Sequence, residues 1–276
     1  MAKKTATKKD NELAAAPPPT PAFLQRSQGE VAMGVDSASK YQTINRISIV
    51  QPQSKKERRD EFGVGSSAMF PDGVLVADAE TEFVVIPLLF YATWEKWSDY
   101  NDNESATVME TSYDEHSDLA RRSKTKEGRT EPYGDPEIGY KYSYVESLNV
   151  AVIVDSGEAK GEIAILSFNK SQHYVGRKFA TMIRRADCDI FGRRVSLTIT
   201  DETDGNNDWH GYALNNPSEE MGGPWITEDQ YEPLKAMHEE TQAAYDSRSI
   251  VINREEESTS AGGETGGFVS DDLPPV

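Results

Sequence analysis

The sequence predicts a mainly β domain with one helix inserted between strands and a second helix near the C-terminus. Three observations carry this. Apolar, β-branched and aromatic runs recur between Gly- and Asp-containing turns, as half-buried strands require. One stretch between such runs, SQHYVGRKFATMIRR, instead spaces Tyr174, Val175, Phe179, Met182 and Ile183 at helical intervals. The 276 residues are 37% hydrophobic and 28% charged, which suits one modest core and a good deal of polar chain outside it.

Residues 1–41 open with four lysines, followed by AAAPPPTPA and a Ser/Gly/Ala-rich stretch. This composition cannot supply a core and predicts a disordered arm. A folded domain is expected over 42–215. RISIVQ (46–51), VLVA (74–77) and EFVVIPLLFY (82–91) read as strands, with Pro87 marking an edge or a bulge. Residues 98–139 are polar with few apolar anchors and predict a long mobile loop carrying the basic segment RRSKTKEGR. YKYSYVESLNVAVIV (140–154), the turn DSGEAKG and EIAILSF (162–168) predict a hairpin. The inserted helix follows, with Ser171 as its expected N-cap. FGRRVSLTIT and WHGYAL complete the strands. In the segment 216–253, Thr227-Glu-Asp-Gln resembles a capping box opening a helix to about Asp246, with Pro233 restarting or kinking it. Residues 254–276 form an acidic tail expected to be disordered. A small barrel with one helix has this general plan, and the oligonucleotide-binding barrel is one such fold, although element order alone does not select it.

The formal charge of −18 conceals a strong asymmetry. From Asp201 onward there are 18 acids and 3 bases, whereas Ile165–Thr200 holds 7 bases and 2 acids. Asymmetry of this kind accompanies nucleic-acid binding or an acidic tail. With Cys188 as the single cysteine, no internal disulfide forms, and the four histidines lack ligand spacing, so no metal or cofactor is expected. DETDGNND matches a calcium loop only loosely, because its twelfth position is Tyr212. Phosphate-loop, nucleophile-elbow and zinc-protease motifs are absent, so no enzyme is expected. The N-terminus has no apolar leader region, and the longest apolar run is too short to span a bilayer; a cytoplasmic protein is expected.

Binding single strands without sequence preference requires bases for the phosphates and flat side chains on which nucleobases stack, at roughly 1–3 kcal/mol each. The candidates for phosphate contact are Lys96, Lys141, Lys170, Arg177, Lys178, Arg184, Arg185, Arg193 and Arg194. The candidates for stacking are Trp94, Trp97, Tyr140, Tyr142 and Tyr144. Alternating tyrosines share one face of a strand, and an unbroken strand puts them on the same face as Leu148, Val150, Val152 and Val154. The tyrosines are then core; a bulge near Glu146–Ser147 frees them from it. The basic helix has its own plain alternative, a solvated surface.

The chain ends GGFVSDDLPPV. A Gly/Ser/Glu linker lets this tip range far from the domain, and the acids preceding it can compete with phosphates for a basic groove. Asp271-Asp272-Leu273-Pro274 resembles the ending of bacterial single-stranded DNA-binding proteins, although this chain finishes Pro275-Val276 where that family has proline and phenylalanine. The resemblance implies that Asp271, Asp272, Leu273, Pro274, Pro275 and Val276 bind replication or recombination proteins. The stretches EFVVIPLLFYATWEKW, NVAVIVDSGEAKGEIAILSFNKSQHYVGRKFATMIR and GPWITEDQYEPLKAMHEE, roughly a quarter of the chain, resemble small replication proteins of tailed bacteriophages. That resemblance implies an oligonucleotide-binding barrel and single-strand DNA binding, with a homo-oligomer allowed. Two other readings stand beside it. A virion or assembly protein of mainly β fold would form stable multimers without affinity for oligonucleotides. An acidic DNA mimic would bind no DNA even without its tail.

Overall fold

The computed structural model describes residues 43–98, 108–132, 140–203, 205 and 208–252. The expected arm over 1–41 and the tail over 254–276, including the tip Asp271–Val276, lie outside the described residues. The elements run β1 (Thr43–Ile49), α1 (Lys56–Phe62), β2 (Ser67–Phe70), β3 (Val74–Ala77), β4 (Phe83–Ser98), β5 (Val108–Ser112), α2 (Asp118–Ser123), β6 (Thr130–Pro132), β7 (Tyr140–Val154), β8 (Ile163–Phe168), α3 (His173–Arg185), β9 (Val195–Thr203), β10 (Asp208–Asn215), α4 (Glu228–Asp246) and β11 (Val251–Ile252).

Along the sheet the order is β10-β9-β4-β7-β8-β1-β2-β3, with β5 beside the far end of β4, β6 beside the far end of β7, and β11 on β1. β1 runs parallel to β8 and β11, and the remaining pairs are antiparallel. The fold is therefore mainly β, with a large mixed sheet and several helices. Among the described residues the sheet stays open, with β10 at one end and β3 at the other, and does not close into the expected barrel. Among the described residues, side chains and not a further strand occupy the outer edge of β10. The Gln51 amide donates to His210 O and accepts from His210 N, both at 2.8 Å, and Gln172 Oε1 accepts from Tyr212 N at 2.8 Å. Outward-pointing backbone groups of an edge strand are thereby satisfied without a partner strand.

β4 and β7 form the spine of the sheet. β4 does not stop at Tyr91 but continues through the Trp pair to Ser98, and its pairing with β7 runs in unbroken register from Leu89↔Ala151 to Ser98↔Tyr142. The one shift lies between Pro87 and Leu89. Proline has no N–H for the ladder, so a bulge is the expected consequence. It is put to use: a ring N–H of His238 on α4 donates to the Leu88 carbonyl at 2.7 Å.

Alternation along β7 then divides the interior in two. Leu148, Val150, Val152 and Val154 point to a core shared with Phe83, Phe168, Phe179 and Tyr212, which α3 covers. Ala151 and Ile153 point the other way, to a core with Leu89, Tyr91, Ile165, Phe191 and Leu234, which α4 covers. The segment 98–139, expected as a loop, contains β5, α2 and β6. Its helix is short but properly started, since Ser117 accepts from Ala120 N, and it buries Leu119 and Ala120.

Candidate nucleic-acid interface

The structure separates the sequence-selected residues into three groups. The first surrounds the far ends of β4 and β7. No bulge interrupts the strand near Glu146, so Tyr144 shares the face of Leu148 and is buried, packed with Trp94, Leu119 and Ala120. Its hydroxyl donates to Glu131 Oε2 at 2.7 Å. Burial, then this bond, pushes the phenol up, while the same bond, followed by the charges of Lys96 and Arg122, holds Glu131 below the usual carboxylate range. Lys96 lies 4.0 Å from the Tyr142 ring centroid and 3.8 Å from Glu131 Oε2, and Lys141 also covers the Tyr142 ring. The Tyr140 side chain lies outside the described residues. Trp97 is buried on the opposite face, its ring N–H donating to the buried Glu95 at 3.0 Å, with Lys170 5.3 Å from the ring. The expectation that Trp94, Trp97 and Tyr144 form an open stacking platform is corrected by this packing. Each is less than 10% exposed, and α2 rather than a nucleobase covers the first and third.

Arg194 forms the second group alone. It is buried, with its guanidinium on Asp155 at 2.6 and 2.7 Å and on the carbonyls of Met221 and Gly223 at 2.6 and 3.1 Å. These bonds tie the 218–224 turn to β9. Arg194 therefore belongs to the fold and is not available to a phosphate, which corrects its place among the binding residues.

The third group is on α3. Its inner side is Val175, Gly176 and Phe179, all buried. A Cβ on Gly176 would sit 2.8 Å from Phe168 Cβ and 3.0 Å from Leu148 Cβ, so the absence of a side chain is what allows helix and sheet to approach this closely. Its outer side carries Tyr174, Arg177, Lys178, Thr181, Arg184 and Arg185, all exposed, and the helix contains no acid. Arg177, Lys178, Arg184 and Arg185 make no ion pair with a described residue. Tyr174 is 48% exposed, with Lys178 Nζ 4.9 Å from its ring. The sequence placed Tyr174 among the apolar anchors because its spacing is helical. The helix begins at His173, after a tight turn over Lys170–Gln172, and with Val175 and Phe179 inward the step of about 100° per residue turns Tyr174 outward. Ser171 does not cap it, and the residue before it, Gln172, has its side chain engaged by Tyr212 and Glu202.

At the other end of α3, Arg193 donates to the Met182 carbonyl at 3.4 Å and to Asn216 at 2.5 Å, and its guanidinium lies 5.6 Å from the ring centroid of Trp225. Trp225 is 51% exposed and was not selected from sequence; a lone tryptophan in GGPWI carries no local signal of exposure. Acids bound this surface: Glu202 accepts from Tyr174, Gln172 and Trp209, while Asp187 and Asp189 flank Cys188 just beyond the helix.

The site is thus a basic, acid-free helix face with an exposed aromatic at its start, carried on an open mixed sheet. The chain belongs to the Pam3 phage gp34-like protein family, whose model matches residues 8–245. That family name points to a phage protein, as the sequence resemblance implied, and names no ligand. No curated protein and no solved structure matches the chain. Among the described residues, no helix is long and apolar enough to cross a membrane.

Proposed function

We propose that this protein binds single-stranded DNA without base specificity, through the outer face of α3, and catalyses no reaction. The observation that carries the reading is the set of four exposed bases on α3, none in an ion pair with a described residue, in a chain of net charge −18. Cations left unpaired on one helix amid so much acid provide a local positive surface that the whole-chain charge hides. Tyr174 adds a π-face at one end of this surface, and Arg193 and Trp225 add a base and a second π-face near the other. In the same proposal the tip Asp271–Val276 recruits replication or recombination proteins.

The test is fluorescence anisotropy of labelled oligo-dT and a matched duplex, titrated with the full chain and with R177Q/K178Q/R184Q/R185Q. Four phosphate contacts on a single strand give a slope of log K against log salt of about −3. The expected result is binding to dT in preference to duplex, lost in the quadruple variant. A full chain that leaves dT free at low salt, yet sediments as a stable multimer, would instead favour the assembly-protein reading.

A further inference from the structure

We propose that the single-strand site does not end with α3 but continues onto the C-terminal end of α2, with Lys124 as a further phosphate contact. This rests on the α3 reading above. The unbroken β4–β7 register puts Tyr144, Glu146 and Leu148 on one face of the sheet. α2 sits on that face over Tyr144 and Trp94, and α3 sits on it over Leu148 and Phe168, so the two helices are neighbours along β7. Glu146 lies at the joint. Its carboxylate is 2.8 Å from Nε2 of His173, the first residue of α3, and that hydrogen bond, with the charge of Lys124 also acting on it, holds it below the usual carboxylate range.

Lys124 is therefore within electrostatic reach of the start of α3. It follows directly on α2, is exposed, and makes no ion pair with a described residue. Its neighbours Arg121 and Arg122 are engaged by Asp118, and Arg122 by Glu131 as well, whereas Lys124 is in no ion pair among the described residues. In this proposal a strand that leaves the start of α3 at His173 continues to Lys124. At the joint it passes Glu146, a carboxylate that opposes phosphate, that hydrogen-bonds His173 and whose charge Lys124 offsets. The ligand is thus an extended strand lying across two helices, longer than one that α3 alone would hold, and Glu146 limits its affinity.

The experiment measures oligo-dT affinity over a salt series for the full chain, K124Q, E146Q, the α3 variant R177Q/R184Q/R185Q, and K235Q on the far helix α4 as a control. Removing one phosphate contact lowers the magnitude of the salt slope by about 0.7. The expected results are that drop and a several-fold weaker affinity for K124Q, tighter binding for E146Q, and no change for K235Q. If K124Q and E146Q both match the wild type while the α3 variant loses affinity, the extension onto α2 is wrong and the α3 reading stands. If the α3 variant also matches the wild type, with circular dichroism showing each variant folded, the α3 reading itself fails.

Discussion

The two long helices cover opposite faces of one sheet and present opposite charge. α3 seats Val175 and Phe179 on one core and shows bases outward, with no acid in the helix. α4 seats Leu234 on the other core and shows Glu228, Asp229, Glu232, Glu239, Glu240 and Asp246, against the single base Lys235. Both solve the same packing problem, an apolar strip on an apolar sheet face. Nothing in that problem fixes the charge of the outer side, because exposed charges contribute little to stability one by one. The contrast between the faces therefore carries information that the fold does not require.

The comparison holds only if bases that build the fold are kept apart from bases that face outward, and Arg194 is where this breaks most sharply. Asp155→Ala leaves the buried Arg194 guanidinium without its carboxylate and should cost about 3–5 kcal/mol, whereas Arg184→Gln on the exposed side should stay within about 0.5 kcal/mol. Urea denaturation of the two variants measures this, and similar losses in both would dissolve the distinction.

The seating of α3 gives a smaller effect. Gly176→Ala drives a Cβ against Phe168 and Leu148, and the strain of overpacking, about 1–3 kcal/mol, should exceed the helix-propensity gain of up to about 1 kcal/mol. A lowered thermal midpoint is expected, and a raised one would show that α3 stands further from the sheet.

The smallest effect sharpens the joint between α2 and α3. Glu146 has its folded-state pKa lowered, chiefly by the His173 hydrogen bond. Its contribution to stability is present above the unfolded carboxylate value of about 4.3 and is lost as pH falls through the lower folded value. The wild type should therefore lose more of its urea midpoint than Glu146→Gln does between pH 5 and pH 3, and equal losses would place Glu146 outside any linkage with His173.

Much of this molecule was legible one element at a time. The runs at 74–77 and 140–154 formed strands with the expected bounds, Pro87 marked a bulge, and Thr227-Glu-Asp-Gln opened α4, with Gln230 Oε1 accepting from Thr227 N at 2.9 Å. The short helices α1 and α2 went unread, since six or seven residues carry too little periodicity to stand out from a polar background. The SDLARRS stretch did hold a start signal in Ser117, but a single capping residue with no apolar repeat behind it does not mark a helix.

For the candidate site, the sequence by itself determined which residues are basic, that α3 lacks acid, and that acid gathers toward the C-terminal end. Those are properties of composition and of local spacing, and packing cannot alter them. The tertiary structure alone decided which of these residues face solvent. Arg193 and Arg194 are adjacent in sequence, yet one lies against exposed Trp225 and the other is buried on Asp155, because consecutive residues of an extended chain point to opposite sides. Tyr144 and Tyr174 likewise had their roles set by what covers each: α2 lies over Tyr144, and among the described residues no element lies over Tyr174. Exposure depends on partners distant in sequence, and no local pattern records them.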